Sequence, residues 1–440
     1  MVDDISHPTE PDKTAFRPGP MQTFSCPNCG GVIGIRALGI TINAVCESCG
    51  SIVDVSNENL RIIETAAGKA QASQIPIGSR GTLFDTEWEV IGYMIRSDGS
   101  GRYLWREYLL FNPYQGFRFL TEANGHWNFV RNIRVAIDTG GSSRIVELDE
   151  RQYRLFERGR AVVRYVMGEF YWRISVGEDT AVADYVAAPH ILSKESSDGD
   201  IMWSQGVYMP HGKIASAFKL DALPAPKGIA PNQPSPYTGK LGRIVNVFLV
   251  SAGLLLATQL FFNQNAADRV VFDRKLQAPA SARDQLLISE PITLTGGPAN
   301  TVVMARSNVS NNWVEIDATL ANDATDVADS ATLPIEYYNG SDSDGPWSEG
   351  GQTSEVAFSS VPGGQYHLQV EVDAGAFAEG KPVDLQVKVI RDAPIWTNFW
   401  LALLLLLPYP AWALTRHWLF VLKQWSDSNT GSPSNLTGTT

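Results

Sequence analysis

The sequence predicts a mainly β chain: a four-cysteine ribbon, an antiparallel β-barrel or sandwich body, two membrane-spanning helices, and a second β-sandwich between those helices. Three observations carry this reading. Ile244–Phe262 and Ile395–Leu414 hold 19 and 20 residues with no Asp, Glu, Lys, Arg or His. All four cysteines fall in two CxxC pairs, Cys26/Cys29 and Cys46/Cys49. Most of the rest alternates β-branched or aromatic residues with polar ones between Gly-rich breaks, the period-two signature of half-buried strands.

Residues 1–21 open the chain with Asp3, Asp4, Glu10, Asp12 and four prolines and no apolar run. They read as a disordered leader, not a secretory signal. Residues 22–56 are the ribbon. A CxxC turn presents two thiolates from one knuckle, and Gly30 and Gly50 after the pairs let the backbone turn toward the sulfurs. Sixteen residues separate the pairs, a spacing that fits a zinc ribbon. A structural Zn2+ on Cys26, Cys29, Cys46 and Cys49 is therefore expected. Disulfides require an oxidising compartment, a redox CxxC needs one pair, and an iron site with four thiolates has the same spacing. Between Phe24 and Ile52 the only basic residue is Arg36, so no stripe for nucleic acid exists and none is expected as a partner.

Residues 57–75 are polar and read as a linker or one helix. The body, 76–220, divides into two strand-rich runs, about 76–140 and 145–220. Thr86–Tyr93, Trp105–Phe111 and Gly116–Leu120 form the first, broken at Ser97–Gly101. Ala161–Met167, Tyr171–Val176 and Ala181–Ala187 form the second, with turns expected at Met167–Glu169 and Gly177–Asp179. The two runs share a strand-turn-strand rhythm consistent with duplication. A Pro-rich linker, 221–243, leads to the first span.

Each apolar stretch covers about 30 Å as helix, the thickness of a bilayer's hydrocarbon core. Lys240 and Arg243 precede the first, 244–262; Arg416 and Lys423 follow the second, 395–414. The positive-inside rule puts both termini in the cytoplasm, making a multi-pass protein of the bacterial inner membrane. Residues 264–394 carry 8 Lys+Arg against 19 Asp+Glu, so nearly all of the chain's net charge of −12 lies in the segment expected outside. That segment, 263–394, offers six alternating strands and reads as a jelly-roll or immunoglobulin-like sandwich. The tail is 415–440.

The knuckles, with Ile77–Gly81, Trp105–Phe111, Trp127–Val130, Gly168–Gly177, Val182–Pro189 and Met202–Tyr208, resemble the bacterial family called domain of unknown function 4178. The resemblance covers roughly 22–220, with the helices and outer segment similar to membrane-bound members. It implies a membrane-associated protein partner, since such proteins accompany phage-shock-type membrane-remodelling proteins and aminopropyltransferase-like enzymes. It attaches no biochemical role.

Two places are candidates for ligand binding. Trp105, Arg106, Trp172 and Arg173 belong to an aromatic–arginine cluster in the body, the residue types that dominate recognition surfaces, although the same cluster also reads as core with arginines reaching outward. Asp342, Asp344 and Trp347 lie in an acidic outer loop with oxygens for a cation and a ring to stack, too few for a regular calcium loop. No nucleophile elbow, phosphate loop or dinucleotide fingerprint occurs, and the ribbon uses every cysteine. The expected function is thus non-enzymatic: a scaffold or sensor linking the outer sandwich to the cytoplasmic module, in envelope maintenance or membrane stress. The alternative is an enzyme or accessory subunit holding a small metabolite in the body.

Overall fold

The computed structural model describes residues 21–56, 60–65, 72–134, 137, 144–197, 199–279, 286–325, 327–378 and 380–431. The expected leader lies outside these, apart from Met21. The chain divides into two compact units: residues 1–241 with 412–440, and residues 242–411.

In the first unit, β1 (Gln22–Ser25) and β2 (Val32–Ile35) form a hairpin, and β3 (Asn43–Val45), β4 (Ser51–Asp54) and β5 (Arg61–Thr65) form a meander. The strand β5 corrects the helix expected within 57–75. Ile62 and Ile63 are β-branched, Ile62 pairs with Val53 of β4 and Ile63 sits at a bulge in that pairing, and the local preference prevails over the polar composition.

After β6 (Arg80–Leu83), eight strands close into an antiparallel barrel. They are β7 (Thr86–Asp98), β8 (Leu104–Asn112), β9 (Gly116–Ala123) and β10 (His126–Ile133), then, past β11 (Ile145–Leu148), β12 (Arg151–Phe170), β13 (Asp179–Ala187), β14 (His190–Ser197) and β15 (Asp200–Met209). Each set of four is a simple meander. The first strands of the two meanders pair, β7 with β12, and so do the last, β10 with β15. Exchanging one meander for the other preserves every junction, so the two sequence runs become two halves related by an approximate two-fold. Closure leaves the barrel strands no free edge.

Two expected features of the second run are corrected. Met167–Glu169 is no turn, because β12 runs straight through it for 20 residues. Gly168 sits there at φ +85° opposite Gly92, and a Cβ on it would lie 2.2 Å from the Ile91 carbonyl oxygen. Glycine at this point permits close approach of two strands at the barrel seam. Tyr171–Val176 is not a strand either. It folds over one end of the barrel, where Tyr171 stacks on Phe117 with ring centroids 4.3 Å apart and Phe170 meets Trp172 edge-on.

Buried Ile91, Met94, Leu109, Phe111, Val166 and Ile174 fill that end, together with Ala37, Val45 and Ile52 of the ribbon. A separate core (Trp88, Tyr93, Tyr108, Leu120, Trp127) packs against Ile214 and Phe218 of α1 (His211–Phe218). The Pro-rich segment after α1 is not a free linker. Asn232 Nδ2 donates to Asn128 Oδ1 (2.7 Å) and to the Pro189 carbonyl (2.9 Å).

The second unit begins with α2 (Leu241–Asn265), which has no buried residue and exposes Val247, Leu249, Val250, Leu254 and Phe261. Its sandwich has a four-stranded sheet, β16 (Arg269–Ala278), β25 (Val383–Arg391), β19 (Ala299–Ser307) and β23 (Thr353–Val361). The facing sheet holds β17 (Leu287–Ile288), β18 (Ile292–Leu294), β20 (Asn312–Asn322), β21 (Ala328–Asp342), β22 (Gly345–Gly351) and β24 (Gly364–Ala374). The alternate residues of β20, Val314, Ile316, Ala318 and Leu320, are fully buried in the shared core, as period two requires. A short turn of helix, α3 (Gly375–Ala378), follows β24. Then come α4 (Thr397–Leu406) and α5 (Pro408–Trp425), broken at Leu407 where Pro408 lacks a backbone N–H. Two helical stretches, Leu241–Asn265 and Thr397–Trp425, are thus long and apolar enough to cross a membrane. The second extends past the expected end at Leu414.

Candidate metal centre and barrel lumen

The two knuckles are built alike. Cys26 N–H donates to the Gly31 carbonyl and Gly30 N–H back to Cys26; Cys46 N–H donates to Ser51 and Gly50 N–H back to Cys46. Gly30 and Gly50 take φ +77° and +73°, the left-handed conformation these turns need. The four sulfurs all lie within 4.8 Å of one another. Cys26 and Cys49 sulfurs are 3.7 Å apart, as are those of Cys29 and Cys46. With metal–sulfur bonds of about 2.3 Å, the edge of a tetrahedron is about 3.8 Å, so the quartet fits one four-coordinate ion. A disulfide would need about 2.05 Å. Gly31 N–H points at Cys29 Sγ (3.4 Å) and Asn28 Nδ2 at Cys49 Sγ (3.6 Å), donors suited to thiolates.

The ribbon is joined to the barrel by Glu169, 1% exposed. Its carboxylate accepts from Arg36 N–H (2.9 Å), Ala37 N–H (3.1 Å) and the Thr41 hydroxyl (3.0 Å). Burial holds this carboxyl above the ordinary glutamate range, against the backbone donors of Ala37 and Arg36. Next to it in sequence, Phe170 pairs with Asn43 of β3.

The other end of the barrel is hollow. A cavity of about 1800 Å³ is lined by all eight barrel strands and by residues 227–232. Arg96, 6% exposed, lies in it. Arg96 Nη1 donates to Glu195 Oε1 (2.8 Å) and Glu107 Oε1 (3.4 Å), and Nη2 to Glu195 Oε2 (3.3 Å). Trp105 Nε1 donates to Glu107 Oε1 (2.7 Å). Burial raises the Glu107 carboxyl, opposed by Arg96. Burial also pushes the Asp184 carboxyl up to about 6 against the Ser193 hydroxyl, while Glu157 and Glu195 add to the shift.

Of the sequence candidates, Trp105 and Trp172 line this lumen. Arg106 does not. One residue on from Trp105, it faces away and donates to Glu122 Oε2 at 2.7 Å. Arg173 is exposed and not part of the lining. The acidic stretch of the sandwich is a hairpin rather than a loop, since Asp342 ends β21 and Trp347 lies in β22. Trp347 lies over Gly340, where an added Cβ would meet its ring at 2.8 Å. Asp344 N–H donates to Asp342 Oδ1 (2.9 Å) in an exposed turn. Arg96, Asp184 and Glu195 were not singled out from the sequence. Their signal is cross-strand register, which sets Arg96 opposite Trp105 and Val182 opposite Glu195.

Fold and lining together define a ribbon-capped, eight-stranded antiparallel barrel with a polar interior. Residues 76–211, from the segment before β6 to the start of α1, match the family model described as Domain of unknown function (DUF4178), and this part of the chain belongs to that family. No curated protein matches the chain. Among solved structures, the insecticidal delta-endotoxin Cry8Ea1 from Bacillus thuringiensis is similar at 9% identity and TM-score 0.16, over 69% of this chain and 52% of that one. The mosquito-larvicidal Cry4Aa toxin from Bacillus thuringiensis gives 9% identity and TM-score 0.14, over 72% and 54%. The chain thus spans about half the length of either toxin, and likeness at that level supports no inference about fold or activity.

Proposed function

We propose that this chain is a non-enzymatic, two-span protein of the bacterial inner membrane, whose zinc-stapled DUF4178 barrel is a cytoplasmic small-molecule-binding module. The observation that carries the reading is the closed barrel with its lumen: eight-stranded barrels of this size either fill with side chains or hold one ligand, and this one is hollow at one end. The sandwich then stands outside as the part that meets the envelope, and the chain works as a scaffold or sensor. A membrane-associated protein, phage-shock-type by family resemblance, is the proposed partner. Native mass spectrometry of the full chain released in mild detergent tests the lumen. A small molecule should remain bound and be lost in the Trp105→Ala, Trp172→Ala double variant; retention of the same mass in that variant overturns the assignment.

The topology rests on charge and on the tail. The last residues of α5 and those after it pack within the first unit. Gln424 Nε2 donates to the Gln233 carbonyl (2.8 Å), and Asn429 exchanges bonds with Arg158 N–H and C=O (3.1 and 2.8 Å). Thr430 Oγ1 donates to the Leu155 carbonyl at 2.8 Å, beside the bulge between Leu155 and Glu157 in the β12–β13 pairing. A chain whose two ends share one compact unit crosses a membrane an even number of times. On intact cells, a membrane-impermeant maleimide should label Ser341→Cys and reach Ser432→Cys only after permeabilisation. The opposite pattern inverts the topology.

A further inference from the structure

We infer that the barrel lumen takes an organic cation of the alkyl-ammonium type. This rests on the proposal that the lumen is a binding site and names the chemistry of what it binds. Leaving out Glu122, which pairs with the outward-facing Arg106, the lining carries eight carboxylates against five Lys and Arg side chains. At its inner layer Glu107, Asp184 and Glu195 share a single cation, Arg96, whose guanidinium is committed to the two glutamates. Asp184 has no cation of its own, and burial disfavours its charge. Excess negative charge held out of water is costly unless something positive enters.

The lumen's hydrogen bonding is also incomplete. Asn232, fully buried in the lining, leaves Oδ1 without a donor, an acceptor that an ammonium N–H can meet. Arg96 Nε likewise has no acceptor. Trp105 presents an aromatic face within 6.0 Å of the Arg96 guanidinium carbon, and its indole N–H fixes the ring against Glu107. A ring held beside carboxylates favours ammonium through the cation–π attraction.

A bare metal ion fits less well. Among the described residues, the cysteine quartet is the one group of three or more His, Cys, Asp or Glu ligand atoms close enough to share an ion. The lumen carboxylates are spread too far apart to coordinate one divalent cation, which wants six or more oxygens at about 2.0–2.6 Å. A flexible cation several bonds long can reach more than one of them. The cavity also exceeds the roughly 300–1,000 Å³ of ordinary ligand sites, leaving space for such a chain with its water.

The test is titration calorimetry on the full chain in detergent with 1,4-diaminobutane, and with glutarate and Mg2+ as controls. Saturable, one-to-one diamine binding is expected, weakened tenfold or more by Asp184→Asn, with glutarate and Mg2+ silent. Trp105→Leu is a second variant read the same way, should the near-isosteric Asp184→Asn fail to fold. Glutarate or Mg2+ binding in place of the diamine overturns the cation assignment and leaves the lumen a binding site. Diamine binding unchanged in both folded variants places the amine elsewhere and also overturns the inference. No binding by any probe, with no mass retained in the native protein, removes both readings.

Discussion

Replacing Cys46 with serine is expected to remove the metal and unfold residues 21–56 while the barrel persists. Cys46 is 1% exposed, and its sulfur stands 3.7 Å from that of Cys29. A closed four-thiolate site has no spare ligand, and structural zinc supplies roughly 10 kcal/mol or more to small ribbons. The ribbon's own buried set is small: Cys26, Ile33, Ala44, Cys46 and Val53, two of them ligands. Nothing in that set replaces the ion. The barrel is closed by its own eight strands; it loses the short β3 pairing to Glu169 and Phe170, the Glu169 contacts and the packing of Ala37, Val45 and Ile52 at one end, but none of its own strand pairings. Metal analysis should fall from one zinc per chain to near zero, and hydrogen exchange should accelerate through 21–56 but not through β7–β10. Full zinc retention in Cys46→Ser, or iron in the unmodified protein, would contradict the assignment.

How much of this was readable in the sequence follows from the range of the interactions. The cysteine quartet and the two apolar helices are local in composition, so spacing and length alone announce them. The strands of the sandwich were found wherever alternation was strong, as in β20 and β24. The strand β16 was missed because its sequence, Arg-Val-Val-Phe-Asp-Arg-Lys-Leu-Gln-Ala, has four charged residues in ten and is mostly exposed. A barrel or sandwich was readable, but which strands close it was not, because the β7–β12 and β10–β15 junctions join residues about 60 to 80 positions apart and no local pattern encodes them. Gly168 was taken as a turn for the same reason. A glycine admitting a distant strand looks identical, in one dimension, to a glycine reversing its own. The aromatic–arginine cluster was half readable: period two forbids neighbours Trp105 and Arg106 from sharing a face. Which of them enters the barrel depends on the bulge between Val90 and Gly92, which only the register reveals.

Glu169→Ala is expected to be the most damaging single change outside the cysteines, costing about 3–5 kcal/mol. The carboxylate is the one acceptor for three donors on the ribbon side: Arg36 N–H, Ala37 N–H and the Thr41 hydroxyl. Of these only the threonine has another partner, the Ala37 carbonyl at 3.0 Å. Truncation strands the buried Ala37 N–H and the half-buried Arg36 N–H, a buried one being worth about 1–3 kcal/mol, and opens a space beneath buried Ala37. Glu169→Gln keeps one oxygen acceptor and should lose much less. The two variants separate further with pH. Because burial holds the Glu169 carboxyl above its ordinary range, the folded chain binds its proton more tightly than the unfolded chain does. Its contribution to stability is then fully present below the ordinary glutamate value and declines as pH rises through the raised one. Glutamine does not titrate, so the gap between native protein and Glu169→Gln should narrow on going from pH 4 to pH 8, as read by thermal melts of the detergent-solubilised chain. A gap that widens over that interval would mean that the donors outweigh burial and hold the carboxylate ionised.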